Sequence, residues 1–266
     1  DQDDGKFYRI NQQGEAALLT DKVFHNVENI TWSPNKNEAI LEYPDGSNIV
    51  YNFDANSQAT LPKHWEEFNF SPEGDKIVSK SIGMDPGNRW LVISSKDGSE
   101  IKPVESIGEN ADSVYTSWSP NRKSVAMYTR GIDFNRQEVF FVGQNNENFK
   151  STIIEGRGLE FKWSPSGGKL LYSVYSSENE MKPRLWIVNA DGEQIGQGRK
   201  SFNVNTWANK CIFANSSEVY CAVPRSLPEG AGLMPELAEN TKDDIYKIDL
   251  ANGNKMLVSR PRKDLN

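Results

Sequence analysis

Histidine, cysteine and long apolar segments are all scarce in this chain. Its 266 residues include two His and two Cys, and their spacing matches no zinc-binding pattern. No run of about 20 apolar residues occurs, so we expect no membrane insertion by this segment. A Gly-x-Ser-x-Gly motif is also missing, which excludes the nucleophile elbow of α/β-hydrolases. The sequence therefore predicts no metal site and no cofactor.

Basic residues are fewer than acidic ones. The 30 Lys and Arg against 37 Asp and Glu give a net charge of -7, which argues against nucleic acid as a partner because basic footprints bind phosphate backbones. The chain also carries 7 Trp, 9 Tyr and 12 Phe, which are enough large side chains for a core. All-β chains of this length often form one domain, and we predict a single domain over residues 1–266.

A repeated segment is the strongest signal in the sequence. Four segments combine an aromatic residue, a Ser-Pro pair and an apolar run, and a fifth keeps this pattern without Ser-Pro. Each segment predicts a hairpin, because Pro presets the backbone of the turn and cannot donate a hydrogen bond within a central strand. The aromatic anchors, which lie 38, 48, 45 and 50 residues apart, are Trp32, Phe70, Trp118, Trp163 and Phe213.

Hairpins of a second kind alternate with these, and their turns carry Asp-Gly, Asn-Gly or a similar polar group. Two hairpins per repeat make one four-stranded antiparallel blade, and radial stacking of such blades makes an all-β propeller. A β-sandwich is the weaker alternative, because it would not need a recurring aromatic-Ser-Pro element.

Blade number follows from counting the hairpins. Five inner hairpins and six outer ones are present, and the chain starts with an outer hairpin at residues 7–19. We predict a six-bladed propeller of which one blade is incomplete within this chain. The alternative is a five-bladed propeller, with residues 7–19 left over or grafted on.

The Trp-Ser-Pro hairpins, together with strands such as LWIVNADGE and IYKIDLANG, resemble the TolB-type, WD40-like propeller repeat of bacteria. This resemblance covers residues 5–258 and departs from the repeat at Phe213, where Ala214 and Asn215 replace Ser-Pro. The chain is also similar to uncharacterised bacterial propeller proteins with an N-terminal membrane anchor. The resemblance implies an extracytoplasmic location, periplasmic or at the cell surface, and a binding role. Since the chain begins at Asp1, we expect any anchor or signal to lie outside it.

The two cysteines flank the hairpin that lacks Ser-Pro. Cys211 lies two residues before Phe213, and Cys221 lies eight residues after it. An antiparallel hairpin places these positions opposite each other, close enough for a disulfide. Such a bond would indicate an oxidising compartment. The alternative is that both cysteines are buried free thiols of a protein in a reducing compartment.

Binding residues are expected on the loops of one propeller face, because rigid scaffolds often carry function on loops. The loop at residues 224–244 is much longer than the about 2–5 residues that a bare hairpin needs, and its Leu227, Leu233, Met234 and Leu237 would contact a partner or pack on a neighbouring blade. Arginines on these loops would form a basic patch or stay scattered. Trp65 would contact a ligand or pack between blades. The predicted binding residues are His64, Trp65, Arg89, Asp133, Arg136, Arg157, Leu233 and Met234.

Two functions of different class remain. The favoured one is a non-catalytic binding scaffold of the bacterial cell envelope that recognises a protein or a glycan, because no nucleophile–base pair is recognisable. The alternative is a glycan hydrolase or lyase that uses carboxylates near the mouth of the channel. A spacer or adhesin domain is a third possibility. The candidate carboxylates are Asp85, Glu109, Asp112, Asp133, Asp243 and Asp244.

Overall fold

A computed structural model describes residues 4–147 and 149–261 of the chain. Contacts between Cα atoms divide it into two compact units. Unit 1 comprises residues 1–118 and 143–146, and unit 2 comprises residues 119–142 and 147–266. Within the described residues, no helix is both long and apolar enough to cross a membrane.

Strands account for nearly all regular structure. The order within the sheets is β1-β2, β3-β4-β5-β6, β7-β8-β9-β10, β11-β12-β13-β14, β15-β16-β17-β18 and β19-β20-β21-β22. The strands are β1 (Tyr8–Ile10), β2 (Ala16–Leu18), β3 (Asn29–Trp32), β4 (Glu38–Glu42), β5 (Asn48–Asn52), β6 (Ser57–Leu61), β7 (Trp65–Phe70), β8 (Lys76–Ile82), β9 (Arg89–Ser95), β10 (Lys102–Ser106), β11 (Val114–Thr116), β12 (Ser124–Asp133), β13 (Arg136–Gly143), β14 (Thr152–Glu155), β15 (Arg157–Trp163), β16 (Lys169–Tyr175), β17 (Arg184–Asn189), β18 (Lys200–Ser201), β19 (Cys211–Phe213), β20 (Glu218–Pro224), β21 (Asp243–Asp249) and β22 (Lys255–Ser259). Six short 3-10 helices lie between the described strands.

The fold is an all-β propeller with five four-stranded antiparallel blades, so the six-bladed prediction is wrong and the five-bladed alternative is correct. Each inner hairpin pairs with the outer hairpin that follows it in the chain, which leaves residues 7–19 as the separate pair β1-β2. This pair is attached to the first blade through Phe7, whose ring lies 5.7 Å from that of Trp32 and 5.1 Å from that of Phe53. Aromatic contacts of this kind hold the segment on the blade without strand pairing.

The Ser-Pro turns share one hydrogen-bond pattern. In the second blade the Ser71 amide donates to the Lys76 carbonyl, and the Gly74 amide donates back to the Ser71 carbonyl. The Ser71 hydroxyl also accepts from the Lys76 amide. The equivalent serines Ser33, Ser119 and Ser164 are all buried and make the same pair of backbone bonds. The Ser119 and Ser164 hydroxyls also accept from a backbone amide, and the Ser33 hydroxyl donates to the Asn35 Oδ1 atom. A buried hydroxyl needs such partners, which explains why serine recurs at this position.

The disulfide prediction is confirmed. Cys211 and Cys221 lie directly opposite each other on β19 and β20 and are bonded, with 4.1 Å between their Cα atoms. Both residues are buried in the core between the last two blades. The cross-link therefore lies in the one blade whose first hairpin has no Ser-Pro turn.

Apolar faces of neighbouring blades bury each other within each unit. In unit 1, Ile40 and Leu61 of the first blade pack with Phe68, Ile77 and Val92 of the second. In unit 2, side chains of the fourth and fifth blades form a corresponding cluster; its members are Leu171, Leu185, Ile187, Phe202, Val204, Ala208, Cys211, Val219, Cys221, Ile248 and Leu250. At roughly 25 cal/mol per Å² of apolar surface buried, such clusters are the main stabilising contribution.

One half-buried carboxyl lies among like charges. Burial raises the pKa of Glu42 above its ordinary value of 4.5, and the nearby carboxylates of Glu67, Glu28 and Glu66 raise it further. A hydrogen bond from the Glu67 amide opposes this shift. Glu67 is itself paired with the buried Lys80, at 2.6 Å. The folded state therefore holds a proton on Glu42 more tightly than the unfolded chain does.

Glu42→Gln should remove a pH dependence of stability. Because the folded pKa is raised, the stabilisation from protonated Glu42 is present at low pH and is lost as pH rises through the folded pKa. The Gln variant keeps an acceptor for the Glu67 amide without the charge, so we expect it to exceed the wild type in unfolding free energy at pH 7.5 and to match it near pH 4. Urea unfolding across this range measures the difference, with exposed Glu105→Gln as control. An identical offset at both pH values would contradict this account.

Loss of the disulfide should destabilise the fifth blade. The bond joins residues that are 10 apart, and by the chain-entropy relation we expect Cys211→Ala/Cys221→Ala to lose about 3 kcal/mol of unfolding free energy. Denaturant unfolding of the wild type with and without reductant should show a loss of similar size, whereas the double variant should not respond to reductant. A reductant effect that persists in the double variant would show that the loss has another cause.

Candidate functional site

The long loop of the fifth blade forms a structured insertion, residues 225–242, between β20 and β21. Its neck is closed by a hydrogen bond from the Arg225 amide to the Lys242 carbonyl. One side of the insertion is buried, because Ala231 and Ala238 pack against the ring of Trp207 together with the partly buried Leu227. A loop with its own buried side chains holds a defined shape.

Backbone hydrogen bonds fasten the insertion to the loop between β16 and β17. The Gly230 amide donates to the Glu180 carbonyl at 2.9 Å, and the Gly232 amide donates to the Met181 carbonyl at 2.7 Å. Glu180 and Met181 have φ values of 53° and 52°, which side-chain-bearing residues rarely adopt. This unusual backbone presents two successive carbonyls to the insertion.

Gly232 is required by close approach rather than by its own dihedral angles. A Cβ atom there would lie 2.5 Å from the Tyr175 Cβ and 2.7 Å from the Met181 carbonyl oxygen. Sequence reasoning did not single out Gly230, Gly232 or Trp207. The two glycines in the segment Glu-Gly-Ala-Gly, residues 229–232, are a signal of close backbone approach that could have indicated this contact.

The other side of the insertion exposes large apolar side chains. Leu233, Met234 and Leu237 are 52%, 44% and 46% exposed. Met234 and Leu237 lie close together over Gly230. A Cβ atom added to Gly230 would be 3.8 Å from the Met234 Cε atom and 3.9 Å from the Leu237 Cδ1 atom. Exposed carboxylates on the same insertion are those of Glu229, Glu236 and Glu239. We call this apolar and acidic side the insertion surface; it consists of Glu229, Leu233, Met234, Glu236, Leu237 and Glu239.

Neighbouring loops of unit 2 continue this surface. The amide and hydroxyl of Ser177 both donate to the Asn135 Oδ1 atom, at 2.9 and 3.0 Å, which joins the β12–β13 loop to the β16–β17 loop. Arg157 donates from Nη1 to the Asp133 carbonyl at 2.9 Å. The loops at residues 130–137, 175–184 and 225–242 are thus linked by direct contacts.

Five predicted binding residues belong to unit 2, and they lie in or beside these loops. Asp133 and Arg136 form an exposed ion pair of 2.7 Å, and the hydrogen bond from the Arg136 side chain holds the pKa of Asp133 below its usual range. Leu233 and Met234 belong to the insertion surface itself. The Arg157 guanidinium lies against Gly131 as well as the Asp133 carbonyl. Both arginines therefore make contacts with the β12–β13 loop.

Three predicted binding residues belong to unit 1. The side chain of His64 is exposed, and its carbonyl accepts from the Ile82 amide. Trp65 is only 2% exposed and packs in the core between the first two blades, so it has the packing role rather than the ligand-contacting one. Arg89 donates from Nε to the Gly83 carbonyl at 3.1 Å and holds its loop in place.

The arginines of the expected basic patch already contact other residues of the chain. Arg130 pairs with Glu138 at 2.6 Å, and Arg199 donates from Nη2 to the Thr152 hydroxyl at 2.9 Å. Each of these two arginines, like Arg89, Arg136 and Arg157, therefore already has a partner within the chain. Among the described residues, no group of three or more His, Cys, Asp and Glu side chains is arranged to hold a metal ion.

Gly232→Ala should loosen the insertion. The added methyl group would overlap Tyr175 and the Met181 carbonyl, and overpacking of this kind typically costs about 1–3 kcal/mol. We expect faster amide hydrogen exchange across residues 226–240 and earlier proteolytic cleavage there. Gly168→Ala is the matched control, because its Cβ would meet only the Ser166 hydroxyl at an ordinary 3.5 Å. Equal protection of the insertion in both variants would overturn the close-contact assignment.

Comparison with known proteins gives one curated relative and many similar folds. No protein family profile matches the chain. A component of eukaryotic translation initiation factor 3 from Emericella nidulans is 22% identical over 261 residues, which cover 93% of this chain and 31% of that protein. The chain thus spans about a third of the curated relative that it matches.

Among solved structures, the chain resembles TolB from Acinetobacter baumannii, with a TM-score of 0.59 and 12% identity over 95% of this chain and 59% of that one. The β-propeller domain of the trilobed protease from Pyrococcus furiosus matches with a TM-score of 0.57 and 11% identity, over 87% of this chain and 71% of that one. Oligogalacturonate lyase from Vibrio parahaemolyticus matches with a TM-score of 0.52 and 10% identity, over 98% of this chain and 73% of that one. These identities are too low to carry function across. The likeness shows a β-propeller repeat fold of the TolB type.

Proposed function

We propose that this protein is a non-catalytic binding module that recognises a partner protein through the insertion surface of unit 2. The observation that carries the proposal is the two-sided build of residues 225–242. One side is buried on Trp207 and bonded to the β16–β17 loop, whereas the other exposes Leu233, Met234 and Leu237. A rigid loop that displays clustered apolar side chains is typical of a protein contact.

Charge indicates what kind of partner fits. The exposed Glu229, Glu236 and Glu239 lie in the same segment as the apolar side chains, so a partner surface with apolar anchors and basic groups would be complementary. Met and Leu side chains adapt to different shapes. A glycan site would instead require aromatic and hydrogen-bonding groups, and the insertion surface offers fewer of these than of apolar side chains.

The cellular setting is part of the proposal. The Cys211–Cys221 disulfide supports an oxidising compartment, and the TolB-like fold supports a bacterial envelope protein. We therefore propose an extracytoplasmic location in bacteria, periplasmic or at the cell surface, with any anchor supplied by a segment outside this chain.

A carboxylate-dependent glycan hydrolase or lyase is the second candidate, and one feature favours it. On β15, burial raises the pKa of Glu160 and lowers that of Lys162, and residues two apart on a strand share a face. A carboxyl with a raised pKa suits a general acid. The loop carboxylates suit that role less, because Asp133, Asp243 and Asp244 each pair with a cation. Lys162 already donates to the Cys211 carbonyl at 2.7 Å, which favours a structural role for this strand.

Capture of partners from an envelope extract tests the binding function. We expect the wild type to retain a partner that Leu233→Ser/Met234→Ser/Leu237→Ser loses, since loss of interface anchors commonly weakens binding by about tenfold or more each. The control is Ile10→Ser/Met84→Ser/Ile101→Ser, which changes three apolar residues of unit 1 that are even more exposed than those of the insertion and should retain the partner. Thermal unfolding checks that both variants are folded.

Two outcomes would count against this function. Equal recovery of the partner by both triple variants would remove the insertion surface as the interface. Turnover of an acidic oligosaccharide by the wild type, abolished in Glu160→Gln, would favour the catalytic candidate instead.

A further inference from the structure

A second feature of unit 2 lies at the foot of the insertion. A cavity of about 500 Å³ opens between the end of β20, the strands β21 and β22, and the segment at residues 203–205. Its polar lining includes the side chains of Arg225, Asp244, Lys255 and Arg260, and the Tyr246 ring provides an aromatic wall. None of these residues belongs to the insertion surface, although Arg225 and Asp244 lie at the two ends of the long loop predicted at residues 224–244.

The charge inside this cavity is opposite to that of the whole chain. Three cationic side chains face one carboxylate, whereas the protein as a whole carries a net charge of -7. Asn203 and Asn205 add amide groups to the lining. Cationic groups that converge in a concave site raise the local concentration of anions, so this distribution favours an anionic ligand.

The rear of the cavity is already organised. Asp244 is nearly buried, and its Oδ1 atom accepts from the Arg225 Nε atom at 2.7 Å. Arg225 also donates from Nη2 to the Pro261 carbonyl at 3.3 Å. These contacts fix the orientation of its guanidinium, and a guanidinium held in this way can direct its remaining N–H donors at a second acceptor.

The front of the cavity carries the more accessible cations. Arg260 is 69% exposed and approaches Asp244 only at 3.6 Å, which is beyond hydrogen-bond distance. Lys255 is exposed, and the described residues show no carboxylate paired with it. Asp244 can neutralise only one of the three cations, so the cavity keeps an excess of two positive charges.

We propose that this cavity binds a small anion with a carboxylate or phosphate group, held by Lys255 and Arg260 in front of the Arg225–Asp244 pair. Oxygen atoms of either group match the donors of a guanidinium and an ammonium. The Tyr246 ring and the Asn203 and Asn205 amides suit the uncharged part of an organic anion, such as a hydroxylated ring. The inference does not depend on the partner-binding function, because the residues of the two sites do not overlap.

Titration calorimetry at low ionic strength tests the proposal with two anionic probes and one neutral one. Inorganic phosphate and glucuronate represent the two sources of the oxyanion, and glucose is the neutral match to glucuronate. We expect at least one anion to bind with a Kd below about 1 mM and glucose not to bind. Affinity should fall as NaCl is raised, because exposed ion pairs are screened. Binding of phosphate but not glucuronate would assign the ligand as a phosphate, and the reverse would assign a carboxylate.

Variants localise the site. Lys255→Gln/Arg260→Gln should weaken anion binding by about tenfold or more, whereas Lys63→Ala/Arg130→Ala, which removes two exposed cations elsewhere, should leave it unchanged. Arg225→Ala leaves Asp244 without its closest partner. Its anion affinity is therefore interpreted together with its unfolding free energy, which shows whether the variant is folded. The insertion triple variant should bind the anion normally. Equal weakening by both double variants, or no binding of either anion to the wild type, would overturn the proposal.

Discussion

The structure depends on the mutual burial of sheet faces. Each blade has short strands, of at most ten residues, and a sheet of this size cannot bury its apolar side chains alone. Within unit 1 the first two blades solve this by packing Ile40 and Val50 against Phe70 and Ile77. The fourth and fifth blades do the same in unit 2. Repetition of one hairpin pattern along the chain follows from this requirement.

Hydrogen bonding sets the positions at which the chain reverses. The buried serines of the four Ser-Pro turns each make the same backbone bonds, and residues with positive φ follow three positions later, as with Lys36 at 60° and Gly167 at 70°. In the fifth blade the Ala214 amide still donates to the Glu218 carbonyl, but the serine hydroxyl is missing. Cys211 of the disulfide lies three residues before Ala214, so a covalent bond reinforces the strand pair where the hydroxyl is missing.

Much of the fold was predictable from the sequence because its signals are local. The aromatic-Ser-Pro element and the Asp-Gly turns identify strand ends, and the positions of Cys211 and Cys221 identify a facing pair. Blade number was not predictable in this way. It depends on which hairpins pair with each other, and a hairpin such as β1-β2 carries the same local pattern whether it completes a blade or not.

The candidate site was predictable only in part. The length of the insertion and its apolar residues were visible in the sequence, since a bare hairpin needs neither. The partners of the predicted arginines were not visible in the sequence, because contacts such as that of Arg157 with the Asp133 carbonyl join residues 24 positions apart. For the same reason the cavity at the foot of the insertion escaped sequence reasoning. Arg225 and Arg260 approach one carboxylate from either end of a segment of more than 30 residues.

The attachment of the insertion at Gly230 and Gly232 has a consequence for protein engineering. These glycines, the neck at Arg225 and Lys242, and the side chains packed on Trp207 bear the contacts with the rest of unit 2, whereas residues 233–237 project outward. The outward stretch can therefore be exchanged for other sequences while the two glycines and the neck are kept. The fifth blade would then serve as a display scaffold, in which a library confined to five positions changes what is recognised and leaves the packing beneath it intact.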